Sequence, residues 1–151
     1  MVVYSVRSAK HIEPLTASGY PGRWNRQDQK VLYASESRSL ASLEWLVSRG
    51  GRVLNNDFVL ITIELNILST DVKYLKENEL IKNWRLLHAY SDLQEKGSHW
   101  YQFGNENVLS VPSALVPEER NFVLHFGRGN EKEWLQLVDV ESVDWLSRIQ
   151  L

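Results

Sequence analysis

The run Phe58-Val59-Leu60-Ile61-Thr62-Ile63-Glu64-Leu65 constrains the chain more than any other segment. It is apolar at nearly every position and rich in β-branched residues, so an extended strand built from it has no face that favours water. The run therefore demands a sheet covered on both sides, and a place near the centre of that sheet is expected. Shorter β-rich runs accompany it: Val2 to Val6, Val31 to Ser35, Val108 to Val111, Phe122 to Phe126 and Leu135 to Val140. A loop containing Pro112 and Pro117 and a turn at Gly127-Arg128-Gly129-Asn130 separate the last three. Between the first two lies a polar stretch, Ser8 to Gln29, with Gly19, Pro21 and Gly22, which reads as a long surface loop.

Helical signals are fewer. Leu40, Leu43, Leu46 and Val47 recur at helical spacing after Ser37 and Ser39, either of which can cap a first turn, and Gly50-Gly51 ends the pattern. This spacing predicts a buried stripe of Leu40, Leu43 and Val47 with Glu44 on it or beside it. Asp71 to Trp84 and Ala89 to Phe103 mix polar and aromatic residues and read as two more helices, with a break near His88. Strands and helices thus alternate without regular βαβ units. The expected class is α+β, with a mixed, mostly antiparallel sheet. A length of 151 residues at 43% hydrophobic content suits one core and is cramped for two, so a single domain over residues 1–151 is expected.

Composition removes several function classes. The net charge of -2, with scattered basic residues, argues against direct nucleic-acid binding, which needs a clustered basic surface. The absence of cysteine excludes disulfides, thiolate nucleophiles and Cys-ligated zinc. The four histidines, His11, His88, His99 and His125, lack metal-ligand spacing, so no metal is expected; His99 can border a pocket, and His125 reads as a core residue. No Gly-x-Gly-x-x-Gly or Walker-type loop follows a strand. The N-terminus lacks the pattern of a secretory signal, and no apolar run is long enough to cross a bilayer, so a cytoplasmic protein without membrane contact is expected.

Gly22-Arg23-Trp24-Asn25, Tyr33 and Glu44 fall within one loop-strand-helix unit and bring together a guanidinium, a phenol and a carboxylate. Arg23 suits a pyrophosphate because its planar fork binds two oxygens at once. Read singly, it is a solvated loop charge beside a core Trp24. Tyr33 needs a partner for its hydroxyl, and its ring can stack on a flat heterocycle or simply fill the core. Glu44, beside an apolar stripe, needs a partner too. It is either a carboxylate that stabilises an oxocarbenium-like state beside a breaking glycosidic bond or half of an ion pair, with Arg7 or Arg23 as candidate partners. Ser113 lies at a strand end, where its hydroxyl can bond an amide or ribose, but it lacks the Gly-x-Ser-x-Gly elbow of a hydrolase nucleophile.

Gly22-Arg23-Trp24-Asn25, Val31 to Ser37, Ser39 to Glu44, Gly97-Ser98-His99-Trp100, Val111-Pro112-Ser113-Ala114 and Asn121 to Leu124 occur in an order that resembles RES-domain toxins. These are the toxin halves of Xre–RES toxin–antitoxin pairs. The resemblance implies a fold similar to ADP-ribosyltransferase toxins and NAD as substrate, consumed by hydrolysis, by phosphorolysis or by passing ADP-ribose to a protein acceptor. It further implies a catalytic set of Arg23, Tyr33, Glu44 and Ser113, with Arg7, Trp24 and Asn25 around the pocket. The implied partner is a Xre-type antitoxin with a DNA-binding helix-turn-helix, and a homodimer is left open. One departure from the family pattern is His125-Phe126, where an Asn-Pro pair is usual. Two other classes remain as alternatives: a non-catalytic nucleotide- or protein-binding module using the same cleft, and a glycosidase in which Glu36 faces Glu44.

Overall fold

In the computed structural model, which describes residues 1–50, 57–144 and 148, the strands are β1 (Val2–Ser8), β2 (Val31–Ser35), β3 (Phe58–Leu65), β4 (Val72–Tyr74), β5 (Val108–Pro112), β6 (Arg120–His125) and β7 (Leu135–Ser142). The helices are α1 (Arg38–Ser48), α2 (Tyr90–Phe103) and the short α3 (Glu131–Trp134). All seven strands join one sheet in the order β4-β5-β6-β2-β1-β3-β7. The β4/β5 pair is parallel and the others are antiparallel, which makes the class α+β as the run pattern implies. No helix among the described residues is long and apolar enough to cross a membrane.

Register assigns the side chains to faces, because residues directly opposite on antiparallel strands point the same way. Tyr4 opposes Ser35 and Thr62, Tyr33 opposes Val123, and Ser35 opposes Asn121. Helices α1 and α2 both cover this face. Trp45 of α1 packs with Val6 and Leu60, while Leu93 and Trp100 of α2 pack with Val31, Leu109 and Val123. The opposite face carries Val3, Leu32, Ala34, Ile61, Ile63, Leu65 and Leu124, closed by Ile12, Leu15, Phe126 and Trp134. Burial on both sides accounts for the apolar run in β3. Its position differs from expectation, since β3 lies between β1 and the edge strand β7 and not at the centre. Coverage of both faces requires layers above and below, not strands on every side.

Of the two candidate caps, Ser37 is the one used: its Oγ accepts from the Leu40 backbone N–H at the start of α1. Gly50 follows in the left-handed region at φ +61°, and Gly51 lies outside the described residues. The buried stripe is Leu40, Ala41 and Trp45, whereas Leu43 and Val47 are exposed. Glu44 borders that stripe at half-buried depth. The predicted helix over Asp71–Trp84 does not form. Its first residues become β4, because Val72 and Leu75 are drawn to the edge of β5, and Asp71 and Glu79 spend their carboxylates on the backbone N–H groups of Leu68 and Lys76. Asn83 then takes a left-handed φ of 60°, which no helix accommodates.

The sheet is weakest in its middle. β1 and β2 share one register pair, Tyr4 with Ser35, while β1 pairs with β3 along its whole length. Ser5 Oγ donates to the Tyr33 carbonyl at 2.9 Å and bridges part of the gap. On the helix-bearing face, the loop before β2 is clamped by α2, whose Gly97 backbone meets the Trp24 carbonyl so closely that a Cβ would lie 1.7 Å from its oxygen. Gly97→Ala is therefore expected to destabilise the fold by about 3 kcal/mol, at the upper end of overpacking costs. Chemical denaturation measures this, and an unchanged midpoint would mean that α2 and the loop are not in contact.

Candidate active site

A cleft of about 640 Å³ opens over the β1/β2 seam, between α1 and the loop that carries Arg23. Its walls include Arg23, Tyr33, Ser35, Glu44, Tyr90 and Asn121. The volume lies within the roughly 300–1,000 Å³ of small-molecule and cofactor sites. Among the described residues that line it, Arg23 is the only cation and Glu44 the only carboxylate. Glu36 is exposed and does not line it, so the carboxylate pair that a glycosidase requires is not assembled there.

Arg23 is held in place by the fold. Its Nη1 donates to the Trp84 and Arg85 carbonyls, each at 3.3 Å, and its guanidinium sits 4.8 Å from the centre of the Tyr90 ring. Among the described residues the guanidinium makes no other hydrogen bond, which leaves its remaining donors for a ligand. Behind it, Gly22 N–H bonds the Asn25 carbonyl, Gln94 Nε2 donates to the Gly22 carbonyl, and Trp24 is buried against α2. Asn25 is 1% exposed and fully committed. Its Nδ2 donates to the carbonyls of Tyr20, Arg26 and Gln29, and its Oδ1 accepts from Tyr33. Asn25 and Trp24 thus shape the loop; Asn25 has its amide spent on that loop, while Trp24 also lines the cleft.

Tyr33 has its ring on the cleft and its hydroxyl in the loop. The hydroxyl donates to Asn25 Oδ1 at 2.6 Å and accepts from the Trp24 backbone N–H at 3.0 Å. Burial pushes the phenol above its ordinary pKa, and neither the Trp24 bond nor nearby Arg23 reverses this. It stays protonated at neutral pH and is no base.

Glu44 is bound by neutral groups rather than by arginine. Ser113 Oγ donates to its Oε1 at 2.7 Å, and Asn121 Nδ2 donates to the same oxygen at 2.5 Å. Arg7, one alternative partner, lies on the far face of β1, where its Nη2 donates to the Thr16 carbonyl and burial lowers its pKa. It does not line the cleft. Ser113 is fully buried and also accepts from the Leu115 and Val116 backbone N–H groups, so its hydroxyl is not available to bond a ligand directly. It anchors Glu44 instead.

Two polar cleft residues, Ser35 and Asn121, lie in the motif segments but are given no role by the sequence reading; a 2.7 Å bond from Ser35 Oγ to Asn121 Oδ1 joins them. The available signal was polar residues in otherwise apolar strands. His99 is exposed on α2 beside Phe103 and does not line the cleft. His125 is buried against Tyr101; its Nδ1 accepts from Gly127 N–H, which leaves Nε2 to donate to the Tyr101 carbonyl. Burial lowers its pKa, which favours that neutral ring, and it stands apart from the cleft.

Tyr33→Phe keeps the ring and strands two buried partners, Trp24 N–H and Asn25 Oδ1. A loss of about 1–3 kcal/mol in unfolding free energy is expected. Equal denaturation curves for the two proteins would show that the hydroxyl does not hold the Arg23 loop.

Comparison with known proteins identifies the family. Residues 3–145 match the RES domain. The chain is 33% identical to Toxin Res of Photorhabdus laumondii over 129 residues, covering 83% of this chain and 81% of that protein. It is also 33% identical to Toxin Res of Yersinia enterocolitica over 109 residues, 72% of this chain and 70% of the relative. A protein of Sphingobium named Prs ADP-ribosylating toxin is 34% identical over 106 residues, 69% of this chain and 65% of the relative. With the match running through nearly the whole chain, this protein belongs to the RES-domain family.

Proposed function

We propose that the chain is a toxin that consumes NAD by cleaving its nicotinamide–ribose bond. One observation carries the reading: a single carboxylate, Glu44, is fixed by neutral donors in the same cleft as a tethered guanidinium, Arg23. The nicotinamide of NAD is a pyridinium cation. When its bond to C1′ breaks, the electron pair returns to the ring, nicotinamide leaves neutral, and positive charge moves to the ribose. A carboxylate beside C1′ stabilises that charge. Ser113 and Asn121 orient Glu44 without cancelling its charge, as an arginine partner would do.

In this reading the free donors of Arg23 take the pyrophosphate, and the Tyr33 ring gives a flat surface to a heterocycle. Ser113 acts through Glu44. The ribosyl cation is then captured by water, by phosphate or by a side chain of a protein acceptor, with the nucleophile's proton passing to solvent. The name of the Sphingobium relative favours the last route. A neutralising antitoxin, of the Xre type that the family resemblance implies, would cover the cleft mouth. Val47 and Leu87, apolar cleft residues with 50% and 79% exposure, suit such a cover.

Incubation of the pure protein with NAD, with and without phosphate or a protein acceptor, should release nicotinamide. Glu44→Gln retains an oxygen for Ser113 and Asn121 and removes the charge, so turnover is expected to fall on the order of 10²–10³-fold while the melting temperature changes little. Calorimetric binding of NAD without nicotinamide release would instead make this a nucleotide-binding module. Full activity in Glu44→Gln would remove that residue from its role.

A further inference from the structure

The bonds that orient Glu44 also place a second polar group beside it. Glu44 can only accept, so the Asn121 carboxamide must turn its nitrogen toward α1, and the Ser35 hydroxyl holds the oxygen on the opposite side. One Nδ2 hydrogen goes to Glu44 Oε1 and the other has no acceptor among the described residues. Glu44 Oε2 likewise receives no bond from them. Ser35, Glu44 and Asn121 all line the cleft. The cleft wall therefore presents an acceptor, Oε2, next to a donor, the second Asn121 N–H, on a rigid strand.

An adjacent acceptor and donor match two neighbouring hydroxyls, one donating and one accepting. We propose that Asn121 recognises the substrate's nicotinamide ribose by donating to its 3′-hydroxyl while Glu44 Oε2 accepts from the 2′-hydroxyl. The assignment follows from chemistry: the hydroxyl next to C1′ belongs to the group that must sit beside C1′, and its vicinal neighbour falls to Asn121. Ser35 is a positioning residue that prevents the amide from turning over. The inference rests on the NAD reading and adds the sugar contact to it.

Nicotinamide release from NAD and from analogues lacking the 2′- or the 3′-hydroxyl of the nicotinamide ribose tests the contact in wild type and Asn121→Ala. Asn121→Ala should lower kcat/KM on NAD and on the 2′-deoxy analogue. On the 3′-deoxy analogue, which already lacks the contact, its penalty should shrink by roughly tenfold. An equal penalty on all three substrates would overturn the proposal and leave Asn121 acting only through Glu44. Ser35→Ala, a milder change, should show the same pattern at smaller size and serves if Asn121→Ala does not fold. Wild type that releases no nicotinamide from NAD would refute the underlying activity, whereas an active wild type with flat penalties would refute the ribose contact alone.

Discussion

The seam between β1 and β2 governs the molecule. A ladder that ran the full length of both strands would close the middle of the sheet, yet these two share one register pair and a side-chain bond from Ser5. The unladdered backbone must be compensated elsewhere. Apolar packing adds cohesion across the seam without supplying those bonds: α1 follows β2 directly and reaches over β1 with Trp45 packed on Val6 and Leu60. The opening thus exposes a polar strand surface beneath a helix, and the cleft lies there.

Two sets of hydrogen bonds then fix what faces the cleft. At one end Tyr33, Asn25 and Gln94 hold the loop that presents Arg23. At the other, Ser113 and Asn121 converge from the ends of β5 and β6 on Glu44. Hydrogen bonds to a carboxylate are stronger than neutral ones, so two on one oxygen restrict the side chain and leave the second oxygen for a ligand. Residues that a motif groups together thus divide into those whose polar atoms face the ligand space, Arg23 and Glu44, and those that place them, Asn25 and Ser113.

That division was not legible in the chain. Arg7, Trp24, Asn25 and Ser113 belong to the recognisable motif, but a motif records which residues occur, not which way they point. On a strand one position decides the face, and Arg7 falls one residue from Val6 and on the other side of the sheet. The amphipathic stripe of α1 was misjudged for a related reason. Leu43 and Val47 satisfy helical spacing, while burial was decided by where the β1/β2 surface lies, which favoured Ala41 and Trp45. Asn121 and Ser35 lie in the recognisable motif, but nothing beyond polarity in an apolar strand pointed to a role for either.

The sequence alone determined six of the seven strands, the serine-capped helix after β2, the α+β class and the ordered motif that assigns the family, because these depend on local periodicity, capping and residue order. Tertiary structure decided the rest: the neighbours of β3, the conversion of Asp71 to Trp84 into an edge strand and turns, and the partners of Glu44. Each depends on contacts between segments far apart in the chain. Ser113 and Asn121 lie 69 and 77 residues from Glu44, and no local pattern carries information across such separations.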